Sequence, residues 1–199
     1  MEINGNVIEG IINPEINVLS KEAIMIKENP FYILDATTRD NRQKIVELAE
    51  ERSFDLDEDL CQKARSDLTM PRNRVFAELN WLPGVSPRKV SLFVSQLKTN
   101  DKNLYSVDGI PALARINISM ELLNAEHIKF SNNELEKIII KIVYDFENLE
   151  INNIIRDINE DRIVSGFPEV NDFELVENYL KKKKRNCVKL ILNSLNSLD

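Results

Sequence analysis

Few residues of this 199-residue chain have types suited to chemistry, and those few are scattered. The only histidine is His127, and the two cysteines, Cys61 and Cys187, stand far apart. Without a CxxC or HxxxH spacing, a metal site would need three remote positions to converge, so no metal is expected. An active site would need a pocket bringing His127 to an Asp or Glu. In Asn124-Ala-Glu126-His127 the plainer reading is an imidazole on the surface or at a helix end. Asp55, Asp57, Glu58 and Asp59 form an acidic cluster without the glycine and alternating ligands of an EF-hand loop, and acids at a helix N-terminus account for them. The five glycines are ungrouped, which leaves no phosphate-binding loop. No catalytic residue and no cofactor is therefore expected, and the chain reads as a non-enzyme.

The remaining charged feature is the basic run Lys181, Lys182, Lys183, Lys184 and Arg185. Such a run is suited to nucleic acid or an acidic partner, although it more often forms a solvated helix face. Arg65, Arg72, Arg74 and Arg88 with Lys89 offer a second basic surface. The net charge of −7 means that nucleic-acid binding would depend on such local patches. With 43% hydrophobic and 30% charged residues, the composition is that of a folded domain, neither disordered nor membrane-embedded. No apolar window reaches a membrane span, and Met1 to Asn6 lacks the basic start of a signal peptide. Two cysteines expected to stay reduced fit a cytoplasmic protein.

Amphipathic helices position these residues. Pro30 opens a short helix in which Phe31, Ile33 and Leu34 face a core. Asp40 or Asn41 caps a second helix with an apolar stripe of Ile45, Val46, Leu48 and Ala49. Asp55 reads first as an ordinary N-cap of the third helix, with Asp57 as the alternative; Leu60, Cys61, Ala64 and Leu68 are that helix's expected core positions. Two helices joined by so short a turn lie antiparallel. Pro71 opens a fourth helix and Pro87 a fifth. Further helices follow over 110–123, from the Ser131–Glu134 capping box onward, over 151–163, and from Phe173 through or up to Lys181. Residues 1–28 read as an N-terminal arm, with Val7, Ile8, Ile11 and Ile12 as a strand or strap. The boundary between parts falls at Trp81 to Pro87, with Trp81 and Leu82 as packing residues that dock the two together.

Three stretches carry a family likeness. Asn29-Pro-Phe31-Tyr32-Ile33-Leu34 has an aromatic followed by a leucine before the first loop. Lys44 to Ala49 holds the pair Leu48-Ala49. Leu68-Thr-Met-Pro71-Arg72-Asn-Arg74 has leucine, proline and arginine at fixed offsets. In this order they resemble a J domain, the DnaJ-type co-chaperone module, over residues 29–80. The resemblance implies an all-α fold: a J-domain-like antiparallel hairpin at 29–82, followed by a helical C-terminal domain at 87–199. A true J domain stimulates a DnaK-type ATPase through a His-Pro-Asp turn. Here that turn reads Ser53-Phe54-Asp55, and only the aspartate matches. The loop before the third helix is shorter than usual. The basic second-helix face is diluted, with Arg42, Lys44 and Arg52 offset by Glu47, Glu50 and Glu51.

The expected function is thus a J-like adaptor that docks a protein partner, with a DnaK-like ATPase or a larger assembly as the partner the resemblance implies. Arg42, Arg52, Ser53, Phe54 and Asp55 are the expected contact residues. The C-terminal helices would offer a second surface or a dimer contact. A nucleic-acid-binding accessory protein using Lys181 to Arg185 is the alternative.

Overall fold

The computed structural model describes residues 25–125 and 127–196. The expected strand or strap at Val7 to Ile12 lies outside them, as do Ser20 to Ile24. Among the described residues the fold is all-α, with no strand. A single 3-10 turn, Ile26–Glu28, precedes α1, Pro30–Ile33. The helices α2 (Arg42–Arg52), α3 (Glu58–Thr69), α4 (Pro71–Leu79) and α5 (Pro87–Lys98) follow. After a second 3-10 turn at Lys102–Ser106 come α6 (Ala112–Asn124), α7 (Asn132–Glu147), α8 (Ile151–Ser165) and α9 (Phe173–Asn196).

Local chemistry sets most of these boundaries. Asn29 caps α1 by accepting the Phe31 N–H, and Pro30 occupies the first helical position, where a missing N–H leaves nothing unsatisfied. Asn41 caps α2 through the Lys44 N–H, while Asp40 turns back to accept the Thr37 N–H. Asp57 caps α3 through the Leu60 N–H at 3.0 Å. Met70 is extended (φ −90°, ψ 114°), as the residue before a proline prefers, so Pro71 ends α3 and starts α4 in one step. Ser131 and Glu134 form the expected reciprocal capping box of α7. Gly166, at φ +72°, closes α8 in the left-handed conformation that favours glycine. Nothing interrupts α9 at Lys181, and it runs unbroken for 24 residues.

Helices α2 and α3 pack as an antiparallel pair. The first residue of α2 lies beside the last of α3, with Arg42 Nε donating to the Thr69 carbonyl at 3.3 Å. Ile45 and Ala49 of α2 meet Cys61, Ala64 and Leu68 of α3 in one buried cluster with Phe31 and Leu34. Leu60 departs from expectation and is 40% exposed. It is the residue beside Cys61 on the helix, about 100° around the axis, so only one of the two faces inward.

Trp81 and Leu82 are each 2% exposed. Their cluster takes Phe31, Leu34 and Ala77 from one side of the 82–87 connection and Phe93, Leu97 and Ile118 from the other. The Phe31 and Trp81 rings pack with centroids 5.8 Å apart. A second cluster joins Val75, Phe76 and Leu79 of α4 to Ile154 and Ile158 of α8 and to Val176, Tyr179 and Leu180 of α9. A third joins α6, α7 and α9 through Met120, Ile138, Ile142 and Cys187. Phe173 is 46% exposed at the start of α9. No helix among the described residues is long and apolar enough to cross a membrane.

Candidate functional site

The free end of the α2–α3 pair carries four of the expected contact residues in succession. Arg52 closes α2, and its Nε donates to the Ile33 carbonyl of α1 at 3.2 Å. Ser53 turns its hydroxyl back to the Glu50 carbonyl at 2.7 Å. Phe54 is 89% exposed, an aromatic ring held out in solvent. Asp55 is exposed and lies 3.9 Å from the Arg52 guanidinium. The cap expected of Asp55 is made by Asp57, two residues later. The chain spends Ser53 to Leu56 as a turn before it reaches cap geometry, which leaves the Asp55 carboxylate on the surface.

Arg42 is at the other end of the pair. It is the first of the eleven residues of α2, about 15 Å from Arg52 at the usual rise. Its guanidinium stacks 4.5 Å from the Phe167 ring centroid while its Nε holds the Thr69 carbonyl. The two arginines therefore tether opposite ends of the hairpin, and Arg42 does not share a face with the Ser53 to Asp55 turn.

The base of the hairpin rests on a buried ion cluster. Arg74 is 0% and Glu78 2% exposed. Arg74 Nε lies 2.8 Å from Glu78 Oε1, and Arg162 Nε of α8 lies 2.8 Å from Oε2. Arg74 also donates to the Leu68 and Thr38 carbonyls, and Arg162 to those of Pro168 and Pro71. The guanidinium of Arg74 sits 4.0 Å from the Phe167 ring centroid and 5.1 Å from that of Phe31. Burial leaves the Glu78 carboxyl above its ordinary value against the pull of Arg162 and Arg74, and lowers the Arg74 guanidinium against the pull of Glu78. Asp161 of α8 accepts from Thr38 Oγ1 at 2.6 Å and Arg39 Nε at 2.8 Å. The loop entering α2 is thereby fixed to both α4 and α8. Arg74 thus reaches the Leu68 carbonyl at the end of α3 and, within its own helix, the Glu78 carboxylate. Glu78 was open to prediction as its i+4 neighbour; Arg162, 84 positions away, left no local sign.

The basic run of α9 is not one surface. Five consecutive helical residues sweep more than a full turn, so they cannot all face solvent. Lys183 is 2% exposed, with its Nζ 2.6 Å from Asn80 Oδ1. Asn80 in turn donates to the Phe76 carbonyl and to the Tyr179 hydroxyl. Desolvation brings Lys183 down to about 7 and takes the Tyr179 hydroxyl up to about 12. Lys181 pairs with Glu177 at 2.9 Å, Lys184 lies 5.9 Å from the Phe146 ring centroid, and Lys182 is half-buried. Arg185 is exposed.

The other chemistry-bearing residues do not converge. His127 is exposed in the connection between α6 and α7. A cavity of about 530 Å³ opens beside it, lined by Leu123, Phe130, Leu135 and Leu190 among others, with no carboxylate among its described lining residues. Both cysteines are free and buried. Burial raises the Cys61 thiol and takes Cys187 to about 11, which keeps both protonated and poorly nucleophilic at neutral pH. Among the described residues no group of three His, Cys, Asp or Glu side chains could hold a metal ion.

What the arrangement offers is an exposed aromatic turn carried on a tethered, rigidly seated hairpin. Comparison with family models, with curated proteins and with solved structures found no match.

Proposed function

We propose that the chain is a non-enzymatic adaptor built on a degenerate J-like module, which docks a protein partner through the free end of the α2–α3 hairpin. The observation that carries this reading is the exposure of Phe54, 89%, on a hairpin held beside its turn by Arg52 and at its base by Arg42, Arg74 and Asp161. A ring of that size left in water contributes nothing to folding, and aromatic residues presented rigidly are the residues most often found at the centre of protein interfaces. Support for the J-like part comes from the order of α1 to α4, from Pro71 between α3 and α4, and from Arg74 gripping the end of α3. With Ser53 and Phe54 where the family has histidine and proline, this reading includes docking and excludes ATPase stimulation through that turn. A DnaK-like ATPase is the first partner to try and a larger assembly the second.

The nucleic-acid reading is weaker, because Lys183 withdraws from the basic run and Lys181 is paired with Glu177. Its test is a mobility shift with DNA and RNA at low salt.

The adaptor reading is tested by quantitative pull-down of the full chain from cells that make it, wild type against an Arg52→Ala/Asp55→Ala double variant. The recovered partner is then purified and titrated. A specific partner whose affinity falls about tenfold in the double variant supports the reading. No partner, or equal affinity for both forms, overturns it. If the partner is a DnaK-like ATPase, its hydrolysis rate stays at the basal value.

A further inference from the structure

We infer that the hairpin tip docks a basic protein surface: one with lysine and arginine side chains clustered around an apolar recess that admits the Phe54 ring. This rests on the docking reading above and adds the chemistry of the partner. It is the opposite polarity to that implied by a J domain, whose second helix is basic.

The charge on the hairpin is segregated along its length. Between Glu47 and Asp59 there are seven carboxylates and one guanidinium, Arg52. All seven are exposed. Arg42, Lys44 and Arg65 gather toward the other end, where α2 begins and α3 finishes. Helix stability explains part of the acidity, since Asp57, Glu58 and Asp59 stand at the N-terminus of α3, where a negative charge is favoured. Glu47 is accounted for by Lys44, 3.6 Å away.

Glu50 and Glu51 are different. They occupy the last turn of α2, where the helix dipole disfavours carboxylates, and no ion pair to either is present among the described residues. Asp55 is left with a distant Arg52 contact and is not used as a cap. Two features at one place thus run against local stability: carboxylates at the wrong helix end and a phenyl ring in water. Positions that violate local preference without a compensating contact are where function is expected. An exposed ring a few residues from the carboxylates of Glu50, Glu51 and Asp55 fits an apolar recess rimmed with cations, where complementary charge also speeds encounter and rejects acidic competitors. An acidic face would be repelled, so a DnaK-like ATPase would have to meet this tip through a basic surface of its own.

The test uses the full chain with a benzophenone-bearing phenylalanine installed at position 54, irradiated in the cells that produce it. The cross-linked partner peptide is identified by mass spectrometry. A second form adds Glu50→Lys and Glu51→Lys. Those substitutions improve the dipole interaction at the end of α2, so the melting temperature holds or rises, while cross-link yield falls about tenfold. That combination, with a cross-linked peptide rich in lysine and arginine, is the expected result. A cross-link to an acidic surface, or to a second copy of this chain, overturns the basic-partner inference and leaves the docking reading standing. The same holds if position 54 stays unlinked while the cross-linker at position 52 captures a partner. Failure at both positions overturns the two together.

Discussion

Arg162 of α8 and Glu78 of α4 meet across 84 positions of sequence, Nε to Oε2 at 2.8 Å, with both side chains buried. This contact and its counterpart from Arg74 seat the hairpin base on the rest of the fold. Two guanidiniums share one carboxylate, and the excess positive charge is spread over four backbone carbonyls and two aromatic faces.

Glu78→Gln keeps the volume and removes the charge. It leaves two buried guanidiniums without a counter-ion, a situation that destabilises by about 3–5 kcal/mol. Urea unfolding should show a large fall in midpoint with an unchanged slope. A shift of less than about 1 kcal/mol would mean that the carbonyls alone suffice for the arginines.

Lys183 is buried without a carboxylate, and its ammonium is depressed to about 7. In the unfolded chain the same group titrates near 10.4 (about the usual lysine value). Between those values the unfolded state binds more protons, so this residue makes stability rise with pH from about 7 to about 10 and penalises the fold fully below about 7. Lys183→Met should stabilise the protein by about 2 kcal/mol at pH 7, less what is lost by leaving Asn80 Oδ1 unpaired. The difference between variant and wild type should shrink as pH is raised to 9.5. Denaturant titrations at the two pH values check this; a difference that does not narrow contradicts the depressed ammonium.

Gly84 has φ +72°, and a β-carbon there would come within 2.8 Å of Pro111 Cγ and 2.5 Å of Asp157 Oδ2. The carboxylate can swing away, but the proline ring is fixed. Gly84→Ala should therefore lower stability by about 2 kcal/mol through strain and crowding together. Gly109, with a similar φ of +70° and open space around it, is the control. Its alanine variant carries the strain alone and should lose about half as much by thermal melting.

Phe54→Ala should leave the melting temperature within experimental error of wild type, because an 89% exposed ring contributes little to folding. Leu68→Ala, at 0% exposure in the hairpin core, should lower stability by about 3 kcal/mol. The pair separates a residue proposed to make contact from one that packs the core.

The parts of this fold that local chemistry dictates were legible in the sequence. Pro71 ending one helix and opening the next, Asn41 as a cap, and the Ser131–Glu134 box each depend on neighbours within four positions. Trp81 as a packing residue followed from its place between two apolar helices. The errors have a common cause in longer-range geometry. Lys183 reads as one of five solvated basic residues, and only its contact with Asn80, 103 positions away, reveals that it points inward. The cap stays open between Asp55 and Asp57 in the sequence, which does not show how many residues the turn consumes before α3 begins. Arg42 and Arg52 read as one contact face because both are basic and on one helix, whereas their carbonyl partners, Thr69 and Ile33, lie at opposite ends of the hairpin. Phe54 reads as a contact residue only from its place in the turn between two helices; the extent of its exposure depends on what packs over that turn.

The most direct measurement of the central claim is the affinity of the purified partner for wild type and for Phe54→Ala, with melting temperatures taken on the same samples. The variant should bind at least about tenfold more weakly at an unchanged melting temperature. Equal affinities would contradict the claim, and so would a loss of binding that tracks a loss of stability.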